Sequence, residues 1–196
     1  MIRQVKPALL LFALLTLLTG VLYPLVVTGI AQLAFPVQAN GSLIERKGSP
    51  LGSQLIGQDF SDPRYFWGRP SATTGSPYNA FDPVTLTGSS GSNLGPLSQA
   101  LVDIVQQRVR NLQAIDPGNT SPIPIDLVTT SASGLDPHIS VAAAYYQVPR
   151  VARLRSMDEA EVFALVDQYT EGRTFGLLGE PRVNVLLLNL ALNEIK

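Results

Sequence analysis

The chain has 196 residues, contains no cysteine and carries a formal net charge of -1. The lack of cysteine excludes disulfides, thiolate metal sites and a cysteine nucleophile. Taking the two positive charges of Arg3 and Lys6 from that total leaves -3 on the remainder, which therefore offers no basic surface for nucleic acid.

The N-terminal region is a long apolar segment that contains no Asp, Glu, Lys or Arg between Pro7 and Glu45. A helix over residues 8–35 would be about 42 Å long, against about 30 Å for the hydrocarbon core of a bilayer. Residues 37–39 resemble a signal-peptide cleavage site, but a signal's apolar region is usually only about 7–15 residues long. We therefore predict one transmembrane helix, with a cleaved signal peptide as the alternative.

Arg3 and Lys6 set the expected orientation of this helix, because positive residues beside a span favour the cytoplasmic side. Residues 1–7 are then a short cytoplasmic N-terminus, and residues 36–196 form a single periplasmic domain. The rest of the chain has no second uncharged apolar run of 18 residues, so a single-pass protein is expected.

Small residues follow one face of the predicted span. Pro24 removes a backbone donor and should kink the helix near Gly20. Small side chains on one face let helices approach closely in lipid. The candidate partner contacts on the span are Ala13, Thr16, Gly20, Pro24 and Val27, and membrane lipid is a further expected partner of this helix.

The region after the span is rich in turn-forming residues. Residues 40–50 are predicted to be an exit linker, and two short strands are predicted over 53–58 and 64–68. Residues 70–96 form a long polar loop, a type of segment that is usually functional or held by a partner.

Helical periodicity dominates the second half of the chain. One helix is predicted from Pro96 to Asp116, and a strand follows over residues 125–130. A second helix covers 141–147, capped by Ser140, and Pro149 is expected to break or restart it.

A capping box at residues 156–159 is predicted to open another helix. Residues 176–181 form a turn, and Pro181 is expected to begin the last helix. The fold class is therefore α/β (α+β), with short strands and about four helices after one N-terminal transmembrane helix.

Catalytic motifs are sparse in this sequence. His138 is the only histidine, and no Gly-x-Ser-x-Gly elbow accompanies it. Gly-Lys pairs and Asp-x-Asp-x-Asp-Gly loops are both missing, which argues against a P-loop or an EF-hand. A membrane-tethered periplasmic hydrolase that uses His138 remains the alternative function, and a free-standing binding module with the span as a mere tether is a third.

Three polar, glycine-containing strings, at residues 68–72, 91–96 and 131–136, are open to two interpretations. They can serve backbone geometry alone, or they can form a docking surface on rigid loops. From these strings and from residues 77–79 we take four further candidate partner contacts: Arg69, Asn79, Asn93 and Asp136.

Read in order, these strings resemble the C subunits of the Kdp potassium-transporting ATPases. The similarity includes Tyr-Phe-Trp-Gly-Arg-Pro-Ser at 65–71, Pro-Tyr-Asn at 77–79, Gly-Ser-Asn-Leu at 91–94 and Pro-Arg-Val-Ala at 149–152. It extends over residues 36–43, 55–58, 126–129, 131–137 and 183–192. Residues 81–86 lengthen one loop relative to the usual pattern.

The resemblance implies a non-catalytic accessory subunit of a high-affinity, ATP-driven potassium uptake complex in a bacterial inner membrane. Its expected partners are a channel-like potassium-translocating subunit, a P-type ATPase subunit and a small single-span peptide. The complex uses ATP and potassium, and no cofactor is expected on this chain itself. The family role is to stabilise the assembly and, as a catalytic chaperone, to promote ATP binding by the pump subunit. Because nucleotide is cytoplasmic and residues 36–196 are predicted to lie outside, we expect that effect to be indirect.

Overall fold

The computed structural model describes residues 2–46 and 48–195. The chain divides into two compact units, Met1–Ser53 and Gln54–Lys196. The first unit contains α1 (Ile2–Leu17), a π-helical turn (Leu18–Leu22), α2 (Tyr23–Ala34), α3 (Pro36–Ala39), β1 (Leu43–Arg46) and β2 (Ser49–Ser53). Within the described residues, one helix, Arg3–Ala34, is long and apolar enough to cross a membrane.

The spanning helix departs from α geometry immediately before Pro24. The π-helical turn at Leu18–Leu22 precedes α2, whose first turn contains the proline. Thr19 Oγ1 donates a hydrogen bond to the carbonyl of Leu15, at 2.7 Å. Because proline cannot donate to the preceding turn, the expected disturbance of the helix takes the form of a π turn, a common cause of bends in helices.

The predicted exit linker over residues 40–50 is instead mostly a β-hairpin. β1 pairs with β2 in antiparallel register, from Leu43 opposite Ser53 to Arg46 opposite Ser49. The polar sequence concealed these strands because both are largely exposed and therefore lack the apolar alternation that marks a half-buried strand.

The second unit combines short strands with four longer helices, which confirms the predicted fold class. Its elements are β3 (Phe81–Asp82), β4 (Thr87–Gly88), α4 (Gln99–Ile115), a 3₁₀ turn (Ile125–Leu127), β5 (His138–Ser140), α5 (Val141–Arg155), α6 (Glu159–Gln168), β6 (Thr170–Glu171), β7 (Arg182–Asn184) and α7 (Val185–Leu192). The strands β5, β7 and β6 form an antiparallel sheet in that order.

The core of this unit is built from α5, α6, α7 and the central strand β7. Apolar side chains at helical spacing point into it, which accounts for the helices themselves. Its fully enclosed members include Val148, Val151, Val162, Val166, Val183, Leu188 and Leu192.

An extended segment around Phe66 and Trp67 is attached to this core by side-chain amides. Phe66 N–H donates to Asn189 Oδ1, and Asn189 Nδ2 donates back to the Phe66 carbonyl, both at 2.9 Å. Gln147 binds Trp67 in the same way, at 2.8 and 3.1 Å. The predicted strand at 64–68 is therefore wrong, because two helix-borne amides take the place of a neighbouring strand.

Arg150 completes this attachment from inside the core. Its guanidinium donates to the carbonyls of Pro63 and Tyr65 and to Gln147 Oε1. It also lies 5.1 Å from the centre of the Trp67 ring. Burial disfavours the charged form and lowers the pKa of Arg150 to about 10.

Two further strand predictions fail for local reasons. Over 53–58, the strand β2 ends at Ser53 and a turn follows. Over 125–130, the chain forms a 3₁₀ turn after Pro124. There the Asp126 carboxylate accepts hydrogen bonds from the N–H and hydroxyl of Ser140, at 2.6 and 3.1 Å, so this segment caps the start of α5 and does not pair in a sheet.

The predicted helices exist, but some of their ends differ. The cap by Ser140 is confirmed, since its hydroxyl accepts from Ala143 N–H at 3.0 Å. Pro149 does not break α5, which continues to Arg155, because the core packing of its neighbours outweighs the lost donor. Helix α4 ends before Asp116 as predicted.

The other helix starts lie a few residues downstream of their predicted positions. Helix α4 begins at Gln99 after Ser98, and not at Pro96. Helix α6 is capped by Asp158, because Ser156 adopts a left-handed conformation that ends α5. Helix α7 is capped by Asn184, at the end of strand β7, so Pro181 does not open it.

Candidate partner-binding surface

The polar strings of the sequence fold into loops that pack against each other at glycines. The N–H of Gly57 donates to the carbonyl of Leu135 at 2.9 Å, and a Cβ on Gly57 would lie 2.3 Å from a ring carbon of Tyr78. Gly134 has φ +68°, and a Cβ there would lie 2.6 Å from the Ser90 carbonyl oxygen. Only glycine lets the backbone at Gly134 adopt a left-handed φ and, at the same time, lie this close to the neighbouring loop.

Tyr78 holds the centre of this loop layer. Its hydroxyl donates to the carbonyl of Arg69, and its N–H donates to Ser71 Oγ at 2.9 Å. Ser71 Oγ in turn donates to the Gly134 carbonyl at 2.7 Å. Burial raises the pKa of Tyr78 to about 12, so the phenol keeps its proton and remains a donor.

Arg69 and Asp136 form an ion pair on this layer. Arg69 Nη1 lies 3.4 Å from Asp136 Oδ2, and Arg69 Nη2 donates to the Thr130 carbonyl at 3.1 Å. Arg69 Nε is buried and has no hydrogen-bond partner among the described residues. Burial works against ionisation of Asp136, but hydrogen bonds from His138 and the charge of Arg69 outweigh it, and the pKa of the carboxyl falls below its ordinary 3.8.

The ion pair continues onto the sheet formed by β5, β7 and β6 as a row of neighbouring acidic and basic side chains. His138 Nδ1 lies 3.5 Å from Asp136 Oδ1, and His138 Nε2 lies 3.9 Å from Glu171 Oε2. Glu171 also pairs with Arg182 Nη2, at 2.9 Å. A groove of about 570 Å³ runs beside this row, between the 3₁₀ turn and the segment that leads into β7.

The five candidate contacts on the spanning helix are all exposed within their own unit. Ala13 and Thr16 precede the π turn, Gly20 lies in it, and Pro24 and Val27 follow it. A π turn accommodates one extra residue, which rotates everything after it by roughly 100° relative to an uninterrupted α-helix. The five residues, which would share one face of an uninterrupted α-helix, therefore do not all share a face here: Ala13 and Thr16 lie on one side of the helix and Val27 on another.

Comparison with known proteins identifies the family of this chain. Residues 5–194 match the family model described as "KdpC: K+-transporting ATPase, c chain". The chain belongs to the KdpC family. Similar proteins named "Potassium-transporting ATPase KdpC subunit" include those of Methylococcus capsulatus (61% identity over 196 residues, all of both chains) and Dechloromonas aromatica (61% over 190 residues, 97% of this chain and 96% of the relative). That of Polaromonas naphthalenivorans is 62% identical over 191 residues, or 97% of this chain and 94% of the relative.

KdpC membership confirms the resemblance read from the ordered strings, and the structure shows which of the four loop candidates lie together. It brings Arg69 and Asp136 into contact across 67 positions of sequence. Asn79 instead supports its own loop, through its N–H to Thr73 Oγ1 and its side chain to the Thr74 carbonyl. Asn93 has φ 51°, in the left-handed region of backbone conformation that asparagine tolerates better than most residues. Contact of any of them with a partner stays a prediction.

His138 gains no support as a nucleophile's base in this KdpC chain. Both ring nitrogens face carboxylates, those of Asp136 and Glu171. In a Ser-His-Asp arrangement one nitrogen faces a carboxylate and the other faces a hydroxyl. In the part of the chain that the structure describes, no group of three His, Cys, Asp or Glu side chains could hold a metal ion.

The residues that sequence reasoning missed are the buried polar side chains Gln147, Arg150 and Asn189. They position the Tyr-Phe-Trp-Gly-Arg string, whose last member is Arg69. A signal was present for Asn189, which interrupts an otherwise apolar run from Val185 to Leu192. A polar residue at a core position of a short helix indicates a buried hydrogen-bond partner.

Proposed function

We propose that this chain is a non-catalytic accessory subunit of an ATP-driven, high-affinity potassium uptake complex in the bacterial inner membrane. Membership of the KdpC family supports a role beside the other subunits of a potassium-transporting ATPase. The partners are a channel-like potassium-translocating subunit, a P-type ATPase subunit and a small single-span peptide. ATP and potassium are handled by those partners.

One observation carries the proposal: the apolar helix Arg3–Ala34 has no residue of its most apolar window buried within the chain. A helix of this kind needs lipid or other helices around it. Its small residues and its π turn leave an uneven surface into which the side chains of another helix can pack, and such close packing drives helix association in lipid. The helix therefore contacts partner helices as well as anchoring the chain.

Arg3 and Lys6 beside the span support an orientation with the short N-terminus in the cytoplasm. Residues 36–196 are then a single periplasmic domain. Since nucleotide binds on the opposite side of the membrane, this subunit stabilises the assembly and promotes ATP binding by the pump subunit through the spanning helix. Direct contact with ATP is not part of this proposal.

The first experiment exchanges residues 8–35 for an unrelated apolar helix of equal length, with Arg3 and Lys6 retained. Co-purification with the other subunits from mild detergent, and potassium uptake, should both fall sharply. If the natural chain itself purifies alone, it is not a subunit. If the exchanged chain keeps its partners and uptake, the span acts only as a tether.

The second experiment uses the absence of cysteine from the chain. A single cysteine at Gln4 or at Leu97 is treated with a membrane-impermeant maleimide in spheroplasts. The Leu97→Cys variant should react and the Gln4→Cys variant should react only after lysis. The reverse pattern would place the large domain in the cytoplasm and contradict indirect coupling.

A further inference from the structure

The hairpin loop between β6 and β7 presents apolar side chains to solvent. Phe175 is 90% exposed, Leu177 79% and Leu178 63%. We name these three residues the apolar tip. Single exposed apolar residues are common on protein surfaces, but a contiguous group marks an interaction site more often than chance exposure.

The apolar tip is held in shape by the hairpin itself. Thr174 and Leu178 exchange backbone hydrogen bonds at 2.9 and 3.0 Å, and Gly176 N–H donates to the Arg173 carbonyl at 3.0 Å. An ion pair of 2.6 Å between Arg173 and Glu180 closes the base of the loop. A surface that is already ordered loses little conformational entropy when a partner binds.

Folding of this chain gives no reason for the apolar tip. None of its three residues belongs to the core of the described unit. Phe175 also has φ 55°, in the left-handed region that an aromatic residue adopts only at a cost. Strain together with exposed apolar area is typical of a surface whose role lies in binding.

The size and charge of the tip limit what can cover it. At these exposures the three side chains offer about 450 Å², whereas a stable dimer buries about 800 Å² on each partner. A second copy held by this tip alone would not bind stably. Binding to a lipid surface combines buried apolar area with attraction between basic residues and anionic headgroups. The second contribution is missing here, because Arg173 and Arg182, the basic residues beside the tip, are both paired with glutamates.

We infer that the apolar tip inserts into an apolar pocket on the water-exposed surface of another subunit of the potassium-transporting ATPase. This inference rests on the proposed function, because the other contacts within the complex add the affinity that a contact of this small area lacks by itself. Once the helix is in place, binding of the tip becomes an intramolecular event with a high effective concentration.

The test is the labelling rate of Leu177→Cys by a polar maleimide, measured for the full complex and for the isolated chain, each in neutral lipid nanodiscs. Leu97→Cys serves as the matched control, because Leu97 is 97% exposed on another part of the same unit. We expect the Leu177→Cys rate to be at least about tenfold slower in the complex than in the isolated chain, and the Leu97→Cys rate to be unchanged.

Every other pattern of rates overturns the inference. Equal rates for Leu177→Cys in both samples would show a free tip, and slow labelling already in the isolated chain would show contact with lipid or with a second copy. Equal slowing at both positions would show general shielding. Recovery of an intact complex in any of these cases leaves the proposed function standing, whereas failure of the natural chain to co-purify refutes that function itself.

A second measurement does not depend on cysteine chemistry. Leu177→Glu should reduce recovery of the partner subunits at least about tenfold, and Leu97→Glu should leave it unchanged. Circular dichroism of both variants should match the natural chain, because neither side chain contributes to the core. Full recovery with Leu177→Glu would contradict insertion of the tip.

Discussion

The attachment of Phe66 to helix α7 allows a quantitative prediction for Asn189→Ala. The Asn189 amide is buried, and it satisfies both the N–H and the carbonyl of Phe66, itself fully buried. Alanine leaves two backbone groups without partners, and each costs about 1–3 kcal/mol. We therefore expect the free energy of unfolding to fall by about 2–6 kcal/mol, out of the roughly 5–15 kcal/mol typical of a domain.

The assay is urea unfolding of the full chain in detergent micelles, followed by tryptophan fluorescence. Trp67 is the only tryptophan, and it neighbours the attachment, so the signal reports on the second unit and not on the spanning helix. With a slope of about 2 kcal/mol per molar urea, the urea midpoint should fall by about 1–3 M.

Two variants make this test decisive. Asn111→Ala is the matched control, since Asn111 is an exposed asparagine of helix α4, and it should change stability by less than about 0.5 kcal/mol. Asn189→Asp should cost more than alanine, because it places a carboxylate oxygen against the Phe66 carbonyl. If Asn189→Ala loses no more stability than Asn111→Ala, the amide does not hold this segment.

Three further predictions concern other contacts of the second unit. Gly134→Ala should lower the free energy of unfolding in urea by about 2 kcal/mol or more, because the new side chain would combine a left-handed φ with a Cβ 2.6 Å from the Ser90 carbonyl oxygen. Gly118→Ala is the control and should be close to neutral, because a Cβ at Gly118 would lie in open space. Asp136→Asn should cost about 1 kcal/mol at pH 7. Because the folded-state pKa of Asp136 is lowered, that difference should persist above pH about 4 and vanish as the pH falls below it, and a pH-independent difference would contradict the ionic role. Arg150→Met should lower the free energy of unfolding by about 2 kcal/mol. This is less than the sum of the hydrogen bonds that Arg150 makes, because removing the buried guanidinium also removes the cost of its desolvation. An unchanged urea midpoint would show that the carbonyl partners of Arg150 find other donors.

The helices of this fold could be predicted because their signal is local. Ser140 caps α5 from within the same turn, and Val162 and Val166 lie four residues apart on one buried face. The strand predictions failed where the partner of the backbone is remote. The aromatic run at 64–68 has strand-like composition, but its partners Gln147 and Asn189 lie 80 and 123 residues away and are side chains. No local pattern encodes such a pairing.

The candidate site was predictable only in part, for a related reason. Sequence reasoning selected Arg69 and Asp136 separately, and their contact depends on how two distant loops pack at glycines. In the structure much of the polar character of these loops is used internally, as with Ser71 bonded to the Gly134 carbonyl. Recognisable motifs in this chain therefore serve the fold to a large extent, and recurrence of a string within a family does not by itself indicate contact with a partner.

The apolar tip illustrates the opposite relation between sequence and role. In sequence, residues 176–181 look like an ordinary turn, and Leu177 and Leu178 look like the leucines of α7. Leu188 and Leu192 of α7 are fully enclosed, whereas the two leucines of the hairpin are mostly exposed. Residue type predicts that a side chain will avoid water, but only the fold shows whether this chain can cover it. Where it cannot, as at Phe175, the apolar side chain stays available to another molecule, and that makes the hairpin a more informative place to look for a subunit contact than the polar strings.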